Sequence, residues 1–341
     1  MTLILDNDDV LAAADMSVII SALEEAMAIE SLGGVDSVPR INLPAGAGGF
    51  LRVMPVVISD LDLMGLKAFN SNKGGAVRYL ICVWAINSGE LLALVDASAL
   101  TAIRTGAVTG VAQRAIAAGR FDGEVGVIGS GMEARTNLEA ICAVSAITGI
   151  KVYSPRQEKR ERFAAAMASS LEIDARAVDS PAEAAGAGTV LVATNTGVNS
   201  GCLALEADWL PARGHVNAIG STMPSLREVD EAAFGRADMV VLDTLDAVEE
   251  SGDLRAAVER DLWDASRVRP LMDFFGDGTR PAPNDGDQLT IFKSVGTGLQ
   301  DLVAAKAIFD TACQLGIGRE ADVLSAKQFE NLTAPTVGQG D

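Results

Sequence analysis

Apolar residues recur at helical spacing between Asp15 and Leu32, at Val18, Ile19, Leu23, Met27 and Ile29, and the pattern stops at Gly33-Gly34. That period predicts an amphipathic helix closed by glycine. The chain then changes style. Residues 38–43, 50–57, 64–70 and 78–86 are strand-like runs, and the last turns at Asn87-Ser88-Gly89-Glu90 into a further run at 91–95, as a hairpin would. Strands that follow one another without helices predict a mainly antiparallel or mixed sheet. A helix-rich segment comes next, at 97–118. Within it Gly106 and Gly110, four apart, would let another element approach closely.

From Val125 the pattern becomes strand–helix alternation. Strands are predicted at 125–128, 150–154, 175–178, 189–193, 215–219 and 239–243, with helices at 135–148, 157–171 and 181–185. Six strands in such an order predict a doubly wound parallel sheet. Residues 273–287, rich in Gly, Pro and Asp, read as a loop, 289–294 as a strand and 297–315 as a final amphipathic helix closed by Gly316-Ile317-Gly318. A flexible tail, 331–341, is expected to follow.

The parallel half opens on Val125-Gly126-Val127-Ile128-Gly129-Ser130-Gly131-Met132-Glu133-Ala134. A buried strand running into G-x-G-x-x-A and then a helix is the dinucleotide fingerprint of a Rossmann domain. Gly129 permits the tight turn, Gly131 lets backbone approach a pyrophosphate, and Ala134 keeps helix and strand close. The amides beginning with Met132 would face the phosphates. About 20 residues further on, an NAD site usually carries an acid for the ribose 2′-hydroxyl. This chain has Val152-Tyr153-Ser154-Pro155-Arg156 instead. Ser154 and Arg156 suit a 2′-phosphate, so NADP(H) is favoured, with NAD(H) the alternative because Glu158 is nearby. Thr194, Asn195 and Thr196, at the end of a later strand, fall where the nicotinamide half normally lies.

Composition narrows the class. The 341 residues suffice for two domains with ample core, and 49% apolar with only 4% aromatic content suits an α/β enzyme. A net charge of −19 disfavours nucleic acid or an anionic membrane as partner. Cys82, Cys142, Cys202 and Cys313 form no C-x-x-C pair, which argues against disulfides and a thiolate metal site and for a reducing, cytoplasmic compartment. No signal peptide or spanning segment is predicted. His215, the single histidine, excludes a multi-histidine metal centre; as a strand residue it belongs in the core, with no role beyond cofactor contact. No metal is expected.

Three cations, Arg40, Lys67 and Arg104, lie in or beside apolar strands and a helix start, where an unpaired charge would cost several kcal/mol. They pair either with internal acids or with an anionic ligand. Asp301 could orient a nearby cation or cap its helix, and Asp243 carries the same ambiguity.

A series of short motifs spans most of the chain in order: Val38-Pro39-Arg40, Met54-Pro55, Gly65-Leu66-Lys67, Leu100-Thr101-Ala102-Ile103-Arg104-Thr105-Gly106-Ala107, the fingerprint, Val192-Ala193-Thr194, Gly214-His215-Val216-Asn217-Ala218-Ile219-Gly220-Ser221, Arg227-Glu228-Val229-Asp230, Gly252-Asp253 and Phe292-Lys293-Ser294-Val295-Gly296. In these the chain resembles the ornithine cyclodeaminase/μ-crystallin family, which includes alanine dehydrogenases and ketimine reductases. The resemblance implies that Arg40, Lys67 and Arg104 surround the α-carboxylate of an amino or imino acid, with Lys67 also able to move a proton. It implies cofactor contact at Gly220, Ser221, Val295 and Gly296, and a homodimer. The expected fold is α/β: a Rossmann sheet at 118–300, and a second substrate-binding and dimerisation domain with a mixed sheet formed by 1–117 with 301–330.

Two departures bear on the reaction. Thr222 stands where the cyclodeaminases carry an acid that meets the reacting amine. Arg52 stands where ornithine-cyclising enzymes carry an acid for the distal ammonium, and would repel it. If Arg52 points inward, with Phe50 and Met54 by strand alternation, it would suit a second carboxylate, as in iminosuccinate. The expected reaction is therefore hydride transfer between NAD(P)H and the imine carbon of a small α-imino acid, with Lys67 and Arg104 catalytic and Arg40, Arg52, Lys67, Arg104 and Thr222 on the substrate. The alternatives are a cyclodeaminase that recycles NAD, a dehydratase-like enzyme acting on hydroxyprolines, and a μ-crystallin-like binding protein.

Overall fold

The computed structural model describes residues 1–46, 48–72, 75–117, 120–194, 203–276, 281–282 and 285–325. It contains two eight-stranded sheets. The first is built from β1 (Thr2–Leu5), β2 (Asp36–Ser37), β3 (Ile41–Pro44), β4 (Phe50–Ile58), β5 (Leu63–Ser71), β6 (Val77–Ala85) and β7 (Leu91–Asp96). With these pack α1 (Asn7–Ala13), α2 (Met16–Ser31) and α3 (Ala97–Ala112). The second sheet takes β8 (Gly123–Ile128), β9 (Ile147–Tyr153), β10 (Asp174–Ala177), β11 (Thr189–Val192), β12 (Gly214–Ala218), β13 (Met239–Leu242), β14 (Val268–Pro270) and β15 (Leu289–Lys293). Its helices are α4 (Met132–Val144), α5 (Gln157–Leu171), α6 (Pro181–Ala185), α7 (Glu231–Arg236), α8 (Ala247–Glu250) and α9 (Gly252–Glu259). The chain returns through α10 (Gly298–Leu315) to β16 (Arg319–Ala321), which pairs antiparallel with β1.

The first sheet runs β16-β1-β7-β6-β5-β4-β2, with β3 also on β4. It is mixed, as expected: β1 lies parallel to β7, and β4 to β7 form an antiparallel meander. The second sheet is wholly parallel, in the order β10-β9-β8-β11-β12-β15-β13-β14. The order reverses between β8 and β11, the crevice where such sheets bind ligands.

Several expected elements are corrected. The run expected at 38–43 is strand only from Ile41, in β3, and β2 lies before it at Asp36–Ser37; Pro39, with no N–H to give a ladder, separates the two. The helix expected at 135–148 ends at Val144, where Ser145 turns extended and β-branched Ile147 and Thr148 open β9. The segment at 97–118 is α3 followed by a π turn, Gln113–Ala117, and Arg104 lies in the second turn of α3 rather than at its start. β1 went unpredicted: its apolar run is short, but between β7 and β16 it is fully paired. β15 was expected as a strand but not in its place. It inserts between β12 and β13, so the segment after it, Ser294 to Gly296, emerges beside the end of β12. No helix of the described residues is long and apolar enough to cross a membrane.

Local chemistry explains the helix ends. The acids after β1 form a capping box, with Asp6 accepting from the amides of Asp8 and Asp9. Asp15 caps α2 through the amides of Ser17 and Val18, and Thr297 with Gln300 boxes the start of α10.

Candidate active site

The closeness foreseen at Gly106 and Gly110 is real. A Cβ at Gly106 would run into the Thr136 carbonyl of α4, and one at Gly110 would lie 2.7 Å from Ile20. The Thr136 hydroxyl donates to the Ala102 carbonyl, 2.8 Å away, and locks the crossing. This packing sets the helix that carries Arg104 directly against the helix that begins at the fingerprint. Between the halves opens a cavity of about 480 Å³. From the first half it is lined by Arg40, Arg52, Lys67, Tyr79 and Arg104, and from the second by Glu133, Thr194, Gly220, Thr222, Val295 and Gly296, with Asp301 of α10 at its floor.

Strand alternation on β5 and the inward face of α3 bury Lys67 and Arg104, which are 3% and 7% exposed. Both pair with one carboxylate oxygen. Lys67 Nζ donates to Asp301 Oδ1 at 2.9 Å and to the Thr101 hydroxyl at 2.9 Å, and Arg104 Nε donates to Asp301 Oδ1 at 2.8 Å. Arg104 Nη1 also reaches Gln300 Oε1 at 3.2 Å. So Asp301 orients cations, while the cap of α10 belongs to Thr297. Burial pushes the Lys67 ammonium down to about 8, only partly opposed by Asp301. Arg104 is also desolvated, but Asp301 and Glu133 outweigh that and hold it above its ordinary value. Asp301 is desolvated too, yet the two cations keep its carboxyl below the usual range.

Arg40 donates to the carbonyls of Val295, at 2.5 Å, and Gly296, and pairs with Glu250 at 3.1 Å. Arg52 does face the cavity. Its Nε donates to Asn42 Oδ1 at 2.5 Å, and its guanidinium lies over the Phe50 and Phe69 rings at 5.5 and 5.2 Å. Lys67 Nζ sits 5.1 Å from the Tyr79 ring centroid. Internal acids thus partner Arg40, Lys67 and Arg104, and still the four cations outnumber the three carboxyls beside them, Asp301, Glu133 and Glu250. An excess of positive charge in a partly desolvated cleft favours an anionic ligand.

On the other wall the fingerprint is open. Gly129 has φ of +131° and its Cα lies against the Ala193 carbonyl, with the Ala134 methyl 3.6 Å from where its Cβ would be. Gly131 is the N-cap of α4 with no side-chain cap, and the space around its Cα is empty. Uncapped first-turn amides beside an unfilled cradle fit a pyrophosphate. Met132 is exposed at this turn. The Ser130 hydroxyl donates to Ser154 Oγ at 3.0 Å, joining the turn to the end of β9. Arg156, the N-cap of α5, is exposed, whereas Arg160 turns away to Asp179 at 2.6 Å.

Three acids brace the strand ends. Glu228 accepts from the amides of Thr194 and Gly220 and from the Thr194 hydroxyl. Asp243 accepts from the Ser294 hydroxyl at 2.7 Å and from the amides of Val295 and Gly296 at 3.1 and 2.7 Å. Asp253 accepts from the amides of Glu228 and Val229. Ser221 is placed otherwise than expected: it is fully buried, and its hydroxyl serves Leu226 and Ser251, which leaves no surface for a ligand. His215 is likewise buried between Thr290 and Asn217, its imidazole pushed down to about 4 by desolvation, and does not line the cavity. Asn195 and Thr196 lie outside the described residues, as does the expected tail.

Glu133 and Tyr79 are site residues that the sequence reading passed over. For Glu133 a signal existed: an acid in the helical turn expected to face phosphates is an electrostatic misfit unless it points elsewhere.

The fold and this site define a dinucleotide-fingerprint α/β protein with a cationic pocket facing the fingerprint helix. The chain belongs to the Ornithine cyclodeaminase/mu-crystallin family, whose sequence pattern it matches over residues 1–315. It is 31% identical to the alanine dehydrogenase of Archaeoglobus fulgidus over 324 residues, 93% of this chain and 97% of that one. Against a Delta(1)-pyrroline-2-carboxylate reductase of Bacillus cereus it is 30% identical over 278 residues, 79% and 84% of the two chains. Among solved structures, that of Thermococcus litoralis Delta(1)-pyrroline-2-carboxylate reductase in complex with NADH and L-proline superposes with a TM-score of 0.85 at 26% identity, covering 94% of this chain and all of that one.

Proposed function

We propose that the protein is an NAD(P)H-dependent reductase of small α-imino acids, acting on the C=N carbon beside a carboxylate. The observation that carries this reading is the single cavity in which Lys67 and Arg104, tied together by Asp301, face the turn of Gly220 and the segment Val295–Gly296. The nicotinamide cofactor, when bound, supplies the hydride. The chain's own residues do the rest. Arg40, Lys67 and Arg104 hold the carboxylate, the aromatic shelf of Phe69 and Tyr79 carries the side chain, and Lys67, with its lowered affinity for protons, relays one. Reductases and dehydrogenases of imino and amino acids among the relatives support the same chemistry.

NADP(H) is the favoured cofactor, from Ser154 and Arg156. Arg52 suits a second carboxylate on the substrate, or another anionic or aromatic substituent. The proposed organisation is a substrate-binding and dimerisation domain of residues 1–117 with 301–330, and a dinucleotide domain of residues 118–300. Ile41, Leu43, Leu51 and Leu80 are exposed on one face of the strands β3, β4 and β6, an apolar face that a homodimer would cover.

The test is consumption of NADH or NADPH with a panel of imines: Δ1-pyrroline-2-carboxylate, Δ1-piperideine-2-carboxylate, pyruvate with ammonia or methylamine, and oxaloacetate with ammonia. Stoichiometric oxidation supports the reading. Conversion of ornithine with no net oxidation would replace it by cyclodeamination, which Thr222 and Arg52 oppose. No oxidation with any member, in protein that still binds a dinucleotide, would leave a binding protein.

A further inference from the structure

The cavity holds two carboxyls, and they are differently placed. Asp301 is spoken for: one oxygen accepts from both Lys67 and Arg104, and their charges keep it ionised even though its second oxygen has no donor among the described residues. Glu133 has no comparable partner. It is the second residue of α4, and its side chain lines the substrate cavity instead of the phosphate cradle. Its Oε2 is shut from solvent without a hydrogen-bond donor among the described residues. A buried carboxylate oxygen left unpaired is costly, and the cost is removed by a proton or by a cationic ligand group. Burial does push this carboxyl above its ordinary range, with Arg104 and Lys67 only partly offsetting it. The groups that face it are Lys67 of β5, Tyr79 of β6 and Arg104 of α3. A ligand carboxylate held by those cations would set its α-nitrogen toward the remaining wall of the cavity, where the hydroxyls of Thr105, Thr194 and Ser294 already donate to the Thr101 carbonyl, Glu228 and Asp243, and Glu133 and Thr222 also stand.

We propose that Glu133 is the acid that meets the substrate nitrogen, hydrogen-bonding the imine and delivering the proton that accompanies its reduction. The inference rests on the reductase reading. In the step, the imine nitrogen takes the proton of the Glu133 carboxyl, so that an N–H bond forms as the O–H bond breaks. The resulting iminium carbon accepts hydride from the reduced nicotinamide, and the C=N π electrons pass to nitrogen. The product is an amine and a Glu133 carboxylate, which regains its proton from water. Lys67 holds the substrate carboxylate and, beside Glu133, relays the proton from solvent that restores that acid.

The test compares wild type with Glu133→Gln on whichever imine of the panel is reduced. Kd for the reduced dinucleotide, by fluorescence, and for benzoate, a flat carboxylate with no nitrogen, by calorimetry, check that the variant is folded and its cations intact. Expected are a fall in kcat of at least about 100-fold and changes in both Kd values of less than about threefold. Because a structural role would move those Kd values and KM, a loss confined to kcat identifies the proton donor. Glu133→Asp, a shorter acid, is expected to recover part of kcat. A Glu133→Gln enzyme that keeps more than about a third of wild-type kcat, or that loses benzoate affinity in proportion to kcat, overturns the inference and leaves the reductase reading standing. Wild-type protein that oxidises neither dinucleotide with any imine overturns the reading, and the inference with it.

Discussion

The guanidinium of Arg104 occupies the space that a side chain at Gly296 would need. A Cβ there would lie 2.6 Å from Nη2 and 2.7 Å from Nη1, and the backbone at Gly296 has φ of +84°. A glycine after β15 thus admits a cation from α3, joining the two halves of the site at one point. Gly296→Ala is expected to lose about 1–3 kcal/mol from the left-handed backbone alone, read as a lower Tm. Its methyl also displaces Arg104 from the carboxylate, so KM should rise roughly 10- to 100-fold, the worth of one charged hydrogen bond. An unchanged KM would show that Arg104 does not touch the substrate.

Lys67 should impose opposite pH trends on activity and on stability. Its ammonium, pushed down to about 8, is lost as pH rises through 8, and turnover should fall along that limb. Lys67→Arg, which keeps its charge in this range, should have low activity without the limb. Lys67→Ala should lose at least about 100-fold in kcat while dinucleotide affinity stays within a few-fold. For stability the sign reverses. The folded value lies below the ordinary 10.5, so between about 8 and 10.5 the unfolded chain binds more protons and the contribution of Lys67 to stability rises with pH. Below 8 the full cost of a buried ammonium is present. Melting curves of wild type and Lys67→Met across that window check it: the variant should lack the rise.

Asp301→Asn keeps the shape of the floor but removes the anion that two buried cations share. Breaking such a cluster costs about 3–5 kcal/mol, visible in denaturant unfolding. Asp301 supports the charged form of Lys67, so without it the ammonium is lost at still lower pH. The activity limb should move below 8. A limb that stays in place would assign it to another group.

How much of this was legible follows from range. Short-range signals read well: α5 and α6 have the expected bounds, and the fingerprint turn has the expected geometry. Arg40, Lys67 and Arg104 stood out as charges in apolar surroundings, and one cavity gathers them. Asp301 could be read as orienting a nearby cation or capping its helix, but not as the partner of Lys67 and Arg104, because it is 234 positions from Lys67 and only the return of α10 across β5 brings it there. The place of β15 was equally hidden. Its five residues are all buried, which says that it has neighbours on both sides but not which strands they are. Glu133 depended on a helix crossing, since a residue in the first turn can serve the phosphates or the cavity according to how α4 lies on α3.

Dinucleotide choice should turn on the end of β9. Ser154 is buried against Ser130 with its hydroxyl in their shared hydrogen bond, and Arg156 is exposed two residues later, at the cap of α5. No acid stands in that turn to accept from a ribose 2′-hydroxyl. A 2′-phosphate would instead find two hydroxyls, the guanidinium of Arg156 and the positive end of α5. Arg160 is committed to Asp179 and the Ser154 carbonyl and should contribute little. Arg156→Ala is therefore expected to weaken NADPH by roughly 10- to 100-fold, the value of a charged hydrogen bond, and NADH by less than about threefold. Ser154→Asp should go further, repelling the phosphate and accepting from the hydroxyl, so that the preference inverts. Fluorescence titration of both dinucleotides against the three proteins decides it. Wild type that binds NADH as tightly as NADPH, with Arg156→Ala indifferent to both, would make Arg156 a solvated helix cap and the enzyme one that uses NADH.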